Sequence, residues 1–362
     1  MSANRRVLIV VPSLAFGGGA ERVASVLGTQ LLARGVETSF LTFFDPERRY
    51  PFSGEERCLR ERPSGGAVSK LAKLFVRAWH IARHCRAHGV TTVFSFMEDA
   101  NFPVVVARVL FRCPARMVVS VRHTVSDYGN GPYARLIRLL YPRADAVVAL
   151  TAVERANLVA KFGVPAERAL VVHNPLDFDK IAASRAEPLG EFGPIFSPDK
   201  FIFVTAGRLT KIKNQNLLLE AFRRVRADEP AVRLVLLGDG DLRASLEESA
   251  GPDVHFLGNQ SNVYRFFARA GRFVLTSFTE AFPNVIIEAL ACGLPVISTD
   301  TQGTREIAGV VGEGVEVVPQ EDAQALAAAM LAAVKKTRWT VPAGCSAFSM
   351  GAVVDRWEAL VR

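Results

Sequence analysis

Residues 277–300 read SFTEAFPNVIIEALACGLPVISTD, and the spacing of their two glutamates decides how the second half of the chain folds. Glu280 and Glu288 stand eight positions apart, with Phe282-Pro283-Asn284 between them. Along an unbroken helix eight residues span about 12 Å, too far for both carboxylates to share one ligand. Pro283 rules that helix out, because proline fits the first turn and not the interior. Glu280 is therefore predicted in a loop, and Glu288 in the second turn of the helix that follows. Gly293-Leu294-Pro295 stops this helix, and Val296-Ile297-Ser298 resumes as a strand. A loop entering a helix N-terminus presents free N–H groups and a partial positive charge. That suits a polyhydroxylated, anionic ligand.

Outward from this segment the chain keeps alternating. Residues 201–205, 232–237, 255–257 and 273–276 read as strands, and 216–226, 242–248, 263–270 and 323–334 as helices. The first half does the same, with strands at 7–11, 38–42, 92–95, 117–121, 146–149 and 170–172. Its helices are predicted at 20–33, 67–88, 103–110 and 133–141. Such alternation implies mostly parallel sheets covered on both faces. His173-Asn174-Pro175-Leu176-Asp177, followed by Pro188, Gly190, Gly193, Pro194 and Pro198, marks the connection between the halves. In open α/β sheets ligands bind beyond the carboxyl ends of the strands.

Length and composition narrow the class. With 362 residues, 49% hydrophobic and 22% charged, the chain is expected to form two globular domains. The five cysteines are scattered without a CxxC pair, which fits a reducing compartment and no structural zinc. Arg5-Arg6 followed by 7–11 mimics a signal peptide, but Pro12 and a glycine-rich loop cut the apolar run short, so a first buried strand is expected. No uninterrupted apolar stretch approaches the length of a membrane span. The net charge of +8 points to nucleic acid, an anionic membrane or phosphorylated substrates.

The E-x7-E pair followed by E-A-L-A-C-G-L-P-V-I resembles the signature of the retaining glycosyltransferases of family 4. The resemblance implies the GT-B fold, α/β with two doubly wound Rossmann-like domains facing across a cleft. The first, residues 1–173, would bind the acceptor, and the second, 174–346, the nucleotide sugar. Residues 347–362 would form a helix packing back on the first.

The same resemblance assigns roles. In FVTAGRLTKIKNQNLLLEAF (203–222), Arg208 and Lys213 match the residues that grip the donor diphosphate. Fixed cations there stabilise the charge of the leaving group. Asn214 and Asn216 are expected to cap the next helix. Gly17-Gly18-Gly19-Ala20-Glu21-Arg22 resembles a loop whose glycines let backbone approach the donor phosphate; a tight turn alone also explains it. It is neither a dinucleotide fingerprint nor a P-loop. Gly238 and Asn259 match strand ends lining the nucleotide pocket, and Phe282, Pro283 and Asn284 lie beside the donor sugar. Glu280 would orient that sugar and Glu288 hold the ribose hydroxyls. Arg122 and His123 are both candidates for contacting the transferred sugar or the acceptor. Ala281 replaces a glycine common in relatives, which leaves the donor open among Glc, GlcNAc, Gal and GalNAc.

Helix 67–88 carries Lys70, Lys73 and Arg77 on one face. It is read as a basic amphipathic helix for an anionic membrane surface or the diphosphate of a lipid-linked acceptor. A solvated surface helix is the plainer alternative.

The expected reaction is transfer of a hexose or N-acetylhexosamine from a nucleotide sugar, UDP-linked by preference. The acceptor is a glycan or polyprenyl-diphosphate-linked sugar in bacterial cell-surface polysaccharide synthesis. Neither cofactor nor metal is expected, nor nucleic acid as a partner. The location expected is the cytoplasm, peripheral on the inner face of the membrane. A GT-B-shaped sugar-nucleotide 2-epimerase is the enzymatic alternative. A basic nucleic-acid-binding protein is the non-enzymatic one, and no motif supports it.

Overall fold

The computed structural model describes residues 5–14, 19–44, 50, 52–62, 66–335 and 340–362. The chain divides into two compact units, residues 1–175 with 351–362, and residues 176–350.

Unit 1 is built on seven parallel strands: β1 (Arg6–Val11), β2 (Glu37–Thr42), β3 (Glu55–Cys58), β4 (Thr92–Phe96), β5 (Arg116–Ser120), β6 (Ala146–Ala149) and β7 (Ala169–Val171), in the order β3-β2-β1-β4-β5-β6-β7. The RVLIVV run of β1 is almost wholly buried, as a strand covered on both faces must be. The covering helices are α1 (Gly19–Ala33), α2 (Ala67–His88), α3 (Glu98–Val109), α4 (Pro132–Leu140) and α5 (Ala152–Phe162). Leu8, Val93, Val119 and Val147 of the sheet share one core with Ile81 and Val105 of the helices. Gly89, at φ 61°, ends α2 in the left-handed conformation that glycine adopts without strain.

Helix α3 begins at Glu98, five residues before its predicted start at 103. Pro103 therefore lies inside a helix, where it supplies no N–H to the carbonyl four residues earlier. That carbonyl belongs to Asp99, and Nη1 of Arg77 donates to it at 3.3 Å. A side chain from α2 thus replaces the missing helix bond.

Unit 2 has six parallel strands: β8 (Phe201–Ala206), β9 (Val232–Leu237), β10 (Val254–Phe256), β11 (Arg272–Leu275), β12 (Val296–Thr299) and β13 (Val315–Val318), ordered β10-β9-β8-β11-β12-β13. Its helices are α6 (Phe178–Ser184), α7 (Gln215–Asp228), α8 (Arg243–Ser249), α9 (Tyr264–Phe267), α10 (Asn284–Ala291), α11 (Gln302–Val311) and α12 (Ala323–Val334). In both sheets the strand order reverses beside the first strand, at β1/β4 and at β8/β11. Such switch points are where ligands approach doubly wound sheets.

The last helix, α13 (Met350–Glu358), anchors on unit 1. Trp357 is fully buried, its ring centroid 5.0 Å from that of Phe94 and 5.5 Å from that of Phe96. Arg34 adds ion pairs to Asp355 at 2.5 Å and Glu358 at 2.9 Å. Among the described residues no helix is long and apolar enough to cross a membrane.

Candidate active site

The carboxyl ends of β8 and β9, and the second residue after β10, bring Gly207, Gly238 and Gly258 together. The N–H of Gly207 donates to the carbonyl of Leu237 at 2.9 Å, and that of Gly238 to the carbonyl of Gly258 at 2.7 Å. A Cβ on Gly238 would stand 2.0 Å from the Gly207 oxygen, and its φ is +133°. A side chain is excluded here on both counts. Asn259, next along, is exposed, so this corner offers backbone and small polar groups.

Arg208 follows β8 and is exposed at the same edge. Its carbonyl accepts from Nε2 of Gln215 at 2.9 Å, which fixes the backbone beneath the guanidinium. The chain then makes one tight turn, Lys211–Lys213, and enters α7. Asn214 stands at the N-terminal boundary of α7 with φ 49°, and its side chain makes no capping bond. Asn216 lies inside the helix. The expected asparagine caps are therefore not made; Asn214 is placed there by the left-handed turn that aims Lys213.

Lys213 points at the glutamate segment. Its Nζ lies 2.5 Å from Oε1 of Glu280. The hydroxyl of Ser277 donates to the same oxygen at 2.7 Å. The turn and the loop are also joined through backbone: Phe278 N–H donates to the Ile212 carbonyl at 2.9 Å and Thr276 Oγ1 to the Lys213 carbonyl at 3.0 Å. Lys213 and Glu280 keep 23% and 13% of their side-chain surface, enough to be reached by a ligand.

Helix α10 starts at Asn284, with Pro283 at its boundary. Glu288 falls in the second turn and is buried, and Tyr264 OH donates to its Oε1 at 3.4 Å. Phe282 is buried edge-on to Phe348 at 5.8 Å between centroids, so its ring anchors the loop and is not an exposed contact. The two glutamates have different settings: Glu280 beside a cation, Glu288 beside a phenol. Gly303 buttresses the loop, its N–H donating to the Glu280 carbonyl at 3.0 Å. Ser277, Tyr264 and Gly303 were not singled out from sequence. A hydroxyl three residues before Glu280 was the one local signal available.

In unit 1, Gly17 and Gly18 lie outside the described residues, and Gly19 is the first residue of α1, exposed and with open space about it. Arg122 and His123, which sequence left as equal candidates, have opposite settings. The Arg122 guanidinium is buried over the faces of Phe96 (4.8 Å) and Trp357 (5.6 Å). Its Nη1 donates to Oδ1 of Asn174 at 2.6 Å. Burial lowers its pKa to about 9. Arg122 is thus a packing residue that ties β5 to the end of the unit. His123 keeps 34% of its side-chain surface, and its Nδ1 lies 3.4 Å from Oε2 of Glu98. Glu98, almost fully buried, also accepts from Tyr141 OH at 3.0 Å and Tyr128 OH at 3.4 Å. Burial raises its carboxyl above the ordinary range, against the opposing charge of His123.

The predicted basic face of α2 is not assembled as expected. Lys70 is exposed, but Arg77 is buried, bonded through Nη2 to Glu61 at 2.7 Å and lying 4.2 Å from the Phe43 ring centroid. Lys73 turns back to the Arg62 carbonyl and lies 3.8 Å from Glu61. The outward face of α2 instead shows Val68, Leu71, Phe75, Val76 and Trp79.

Two Asp-x-Asp triplets, 177–179 and 239–241, occur in the chain. In each the first aspartate is already engaged: Asp177 caps α6 and Asp239 pairs with Arg243 at 3.0 Å. Among the described residues no group of three or more His, Cys, Asp or Glu side chains is disposed to hold a metal ion.

Comparison with known proteins follows the same division. Residues 17–180 match the family model described as Glycosyltransferase Family 4, and residues 200–336 the model described as Glycosyl transferases group 1. An uncharacterized glycosyltransferase of Methanocaldococcus jannaschii is 30% identical over 288 residues, covering 75% of this chain and 71% of the relative. The N-acetylgalactosamine-N,N'-diacetylbacillosaminyl-diphospho-undecaprenol 4-alpha-N-acetylgalactosaminyltransferase of Campylobacter jejuni is 31% identical over 310 residues, 81% of this chain and 80% of the relative. Among solved structures, Anabaena HepE in complex with UDP superposes with a TM-score of 0.76 at 18% identity, covering 98% of each chain. The lipopolysaccharide outer core galactosyltransferase WaaB, in its apo form, gives 0.75 at 16% identity, again covering 98% of each chain. Those likenesses establish the GT-B fold. Together with the family models and the two relatives, they show that the chain belongs to the glycosyltransferases.

Proposed function

We propose that the protein is a retaining, metal-independent glycosyltransferase that moves a hexose or N-acetylhexosamine from a UDP-sugar to a lipid-linked glycan. The observation that carries this reading is the Lys213–Glu280 contact, with Arg208 exposed at the same sheet edge. In the reaction the bond between the anomeric carbon and the diphosphate oxygen breaks, and a bond to an acceptor hydroxyl oxygen forms. The acceptor's proton passes to the departing diphosphate. Arg208 and Lys213 face that departing charge and do the work a divalent cation would otherwise do. Glu280 holds Lys213 ready before the donor arrives and takes a hydroxyl of the donor sugar. Glu288 and Tyr264 offer acceptors and a donor for the ribose. Gly238 and Asn259 border the base.

Retention follows from leaving-group and incoming oxygen using one face of the sugar, with no protein nucleophile required. UDP is favoured because the HepE structure was solved with UDP. The lipid-linked acceptor is favoured by the Campylobacter relative, whose name gives a diphospho-undecaprenol substrate. The exposed apolar side chains of α2, with Lys70 beside them, support peripheral attachment to the cytoplasmic face of a membrane.

A donor panel tests the proposal. The pure protein is incubated with UDP- and GDP-sugars, with and without polyprenyl-diphosphate-sugar acceptors, and diphosphate release is followed. Acceptor-dependent release from one UDP-sugar is expected. Interconversion of the sugar nucleotide without acceptor would establish an epimerase instead.

A further inference from the structure

A cavity of about 400 Å³ opens within unit 2 at the amino ends of β8, β11 and β12. Its volume falls in the range of small-molecule sites, roughly 300–1,000 Å³. Arg208, Lys213 and Glu280 instead follow the carboxyl ends of β8 and β11. The six residues of β8 separate the two edges of the sheet by about 20 Å. The cavity is therefore no part of the donor site.

Its charge has one sign. Lys200, Arg269 and Arg272 line it, and no carboxylate does. The Arg272 guanidinium is half-buried at the head of β11; desolvation lowers its pKa, with Glu316 acting in the opposite sense. Arg269 is exposed and commits Nη1 to the carbonyls of Arg265 at 2.8 Å and Arg185 at 3.3 Å. Its Nε and Nη2 have no partner among the described residues. Lys200 lies 3.9 Å from the exposed Asp199, a pairing too loose and too solvated to cancel its charge. On α2, by contrast, Glu61 neutralises Arg77.

The walls are held in place. The ring of Phe201 lies over Gly271, where a Cβ would stand 2.4 Å from its Cζ. Arg233 of β9 donates through Nη1 to the carbonyls of Pro194 and Ile195, both at 2.8 Å. That fastens the segment leading to Phe196, whose ring centroid packs 5.8 Å from that of Phe266. Cations gathered in one hollow repel one another, and a bound polyanion removes that cost. Guanidinium forks and an ammonium suit phosphate oxygens. A nucleic acid would need a basic groove that tracks its backbone, whereas these cations converge on one hollow.

We propose that this cavity is a second anion site, separate from the donor site, for a small phosphate-bearing molecule. Lys200, Arg269 and Arg272 hold the phosphates, and Phe196 and Phe201 border the rest of the ligand. Inorganic pyrophosphate and a nucleoside diphosphate share this chemistry.

The test is calorimetry on the full-length protein with inorganic pyrophosphate, ADP and adenosine as probes. Pyrophosphate or ADP should bind at a site that Lys200→Gln and Arg269→Gln each weaken by about tenfold. Adenosine should not bind there. Lys213→Ala, on the opposite edge of the sheet, should leave this site unchanged. So should Arg224→Gln, which removes an exposed cation of α7 that does not line the cavity. Tighter binding of ADP than of pyrophosphate assigns the site to a nucleotide, and the reverse or equality assigns it to phosphate groups alone. Binding of neither would overturn the proposal. So would binding that Lys213→Ala removes and Lys200→Gln and Arg269→Gln leave intact. An equal loss in Arg224→Gln would reduce the effect to net charge and overturn it as well.

Discussion

Lys213 Nζ and Glu280 Oε1 lie 2.5 Å apart although 67 residues separate them in the chain. The contact joins the turn after β8 to the loop after β11, the two strands flanking the switch point of the unit 2 sheet. Each partner depends on the other for its direction. Lys213→Ala should therefore remove a cation from the leaving group and also leave Glu280 without its ion pair, held by the Ser277 hydroxyl. A loss of about 10²–10³ in kcat is expected, with an unaltered far-UV circular dichroism spectrum. Activity within a factor of about three of wild type would dissociate the pair from the chemistry.

Gly303 gives a test of the loop alone. A Cβ at this position would stand 2.5 Å from Cδ of Pro283 and 2.8 Å from the Glu280 carbonyl oxygen. Gly303→Ala must push the loop aside without touching any charged group. Misplacement by about 1 Å can cost about 10²-fold in rate, so kcat should fall by at least about tenfold. A crystal structure of the variant should show residues 280–283 displaced. An unmoved loop with normal turnover would contradict the account.

Arg77 and Lys70 were read from sequence as equivalent members of a basic face, and they should now part. Arg77→Gln leaves Glu61 with Lys73 alone, at 3.8 Å, and the Asp99 carbonyl without its donor. A destabilisation of about 3–5 kcal/mol is expected for breaking such a buried pair, measured by urea unfolding. Lys70→Gln should change stability by less than about 0.5 kcal/mol. It should weaken sedimentation with anionic vesicles by roughly 1 kcal/mol. Equal stability of the two variants would refute the assignment.

His84 predicts a pH dependence. Burial, with repulsion from His88 next and Arg57 adding to it, holds its pKa down at about 4, while Glu55 opposes. The two rings stack at 4.3 Å between centroids, and neither nitrogen of His84 has a hydrogen-bond partner among the described residues. The folded state thus keeps the ring neutral while the unfolded chain protonates it below about 6.5. Stability is complete above that value and lost as pH falls from about 6.5 to 4, by roughly 3 kcal/mol. His84→Gln should flatten unfolding free energy over this window. A variant with the same acid slope as wild type would exclude His84 as its source.

The strand–helix alternation was legible because buried parallel strands must be runs such as RVLIVV and VRLVLL, with caps and glycines between them. The start of α3 was not, since Pro103 sits inside the helix only because Arg77 of another helix repairs the missing bond. The setting of Glu280 was readable from Pro283, a local effect. The bond from Lys213 across 67 residues was not foreseen, because resemblance gave the two residues separate roles at the donor and did not pair them. Arg77 was misread because helical spacing gives a face and not what covers it. Glu61, which neutralises it, lies outside the helix, 16 residues earlier. Gly303 and Tyr264 escaped for the same reason: their roles lie in tertiary contacts that carry no pattern in sequence.

The most direct test of the central claim is acceptor-dependent UDP release by the wild-type protein and Lys213→Ala, assayed side by side with UDP-sugars and a polyprenyl-diphosphate-linked sugar. The account predicts release by wild type only when acceptor is present, and a loss of at least about 10²-fold in the variant. Acceptor-independent conversion of the donor, or near-normal release by Lys213→Ala, would contradict it.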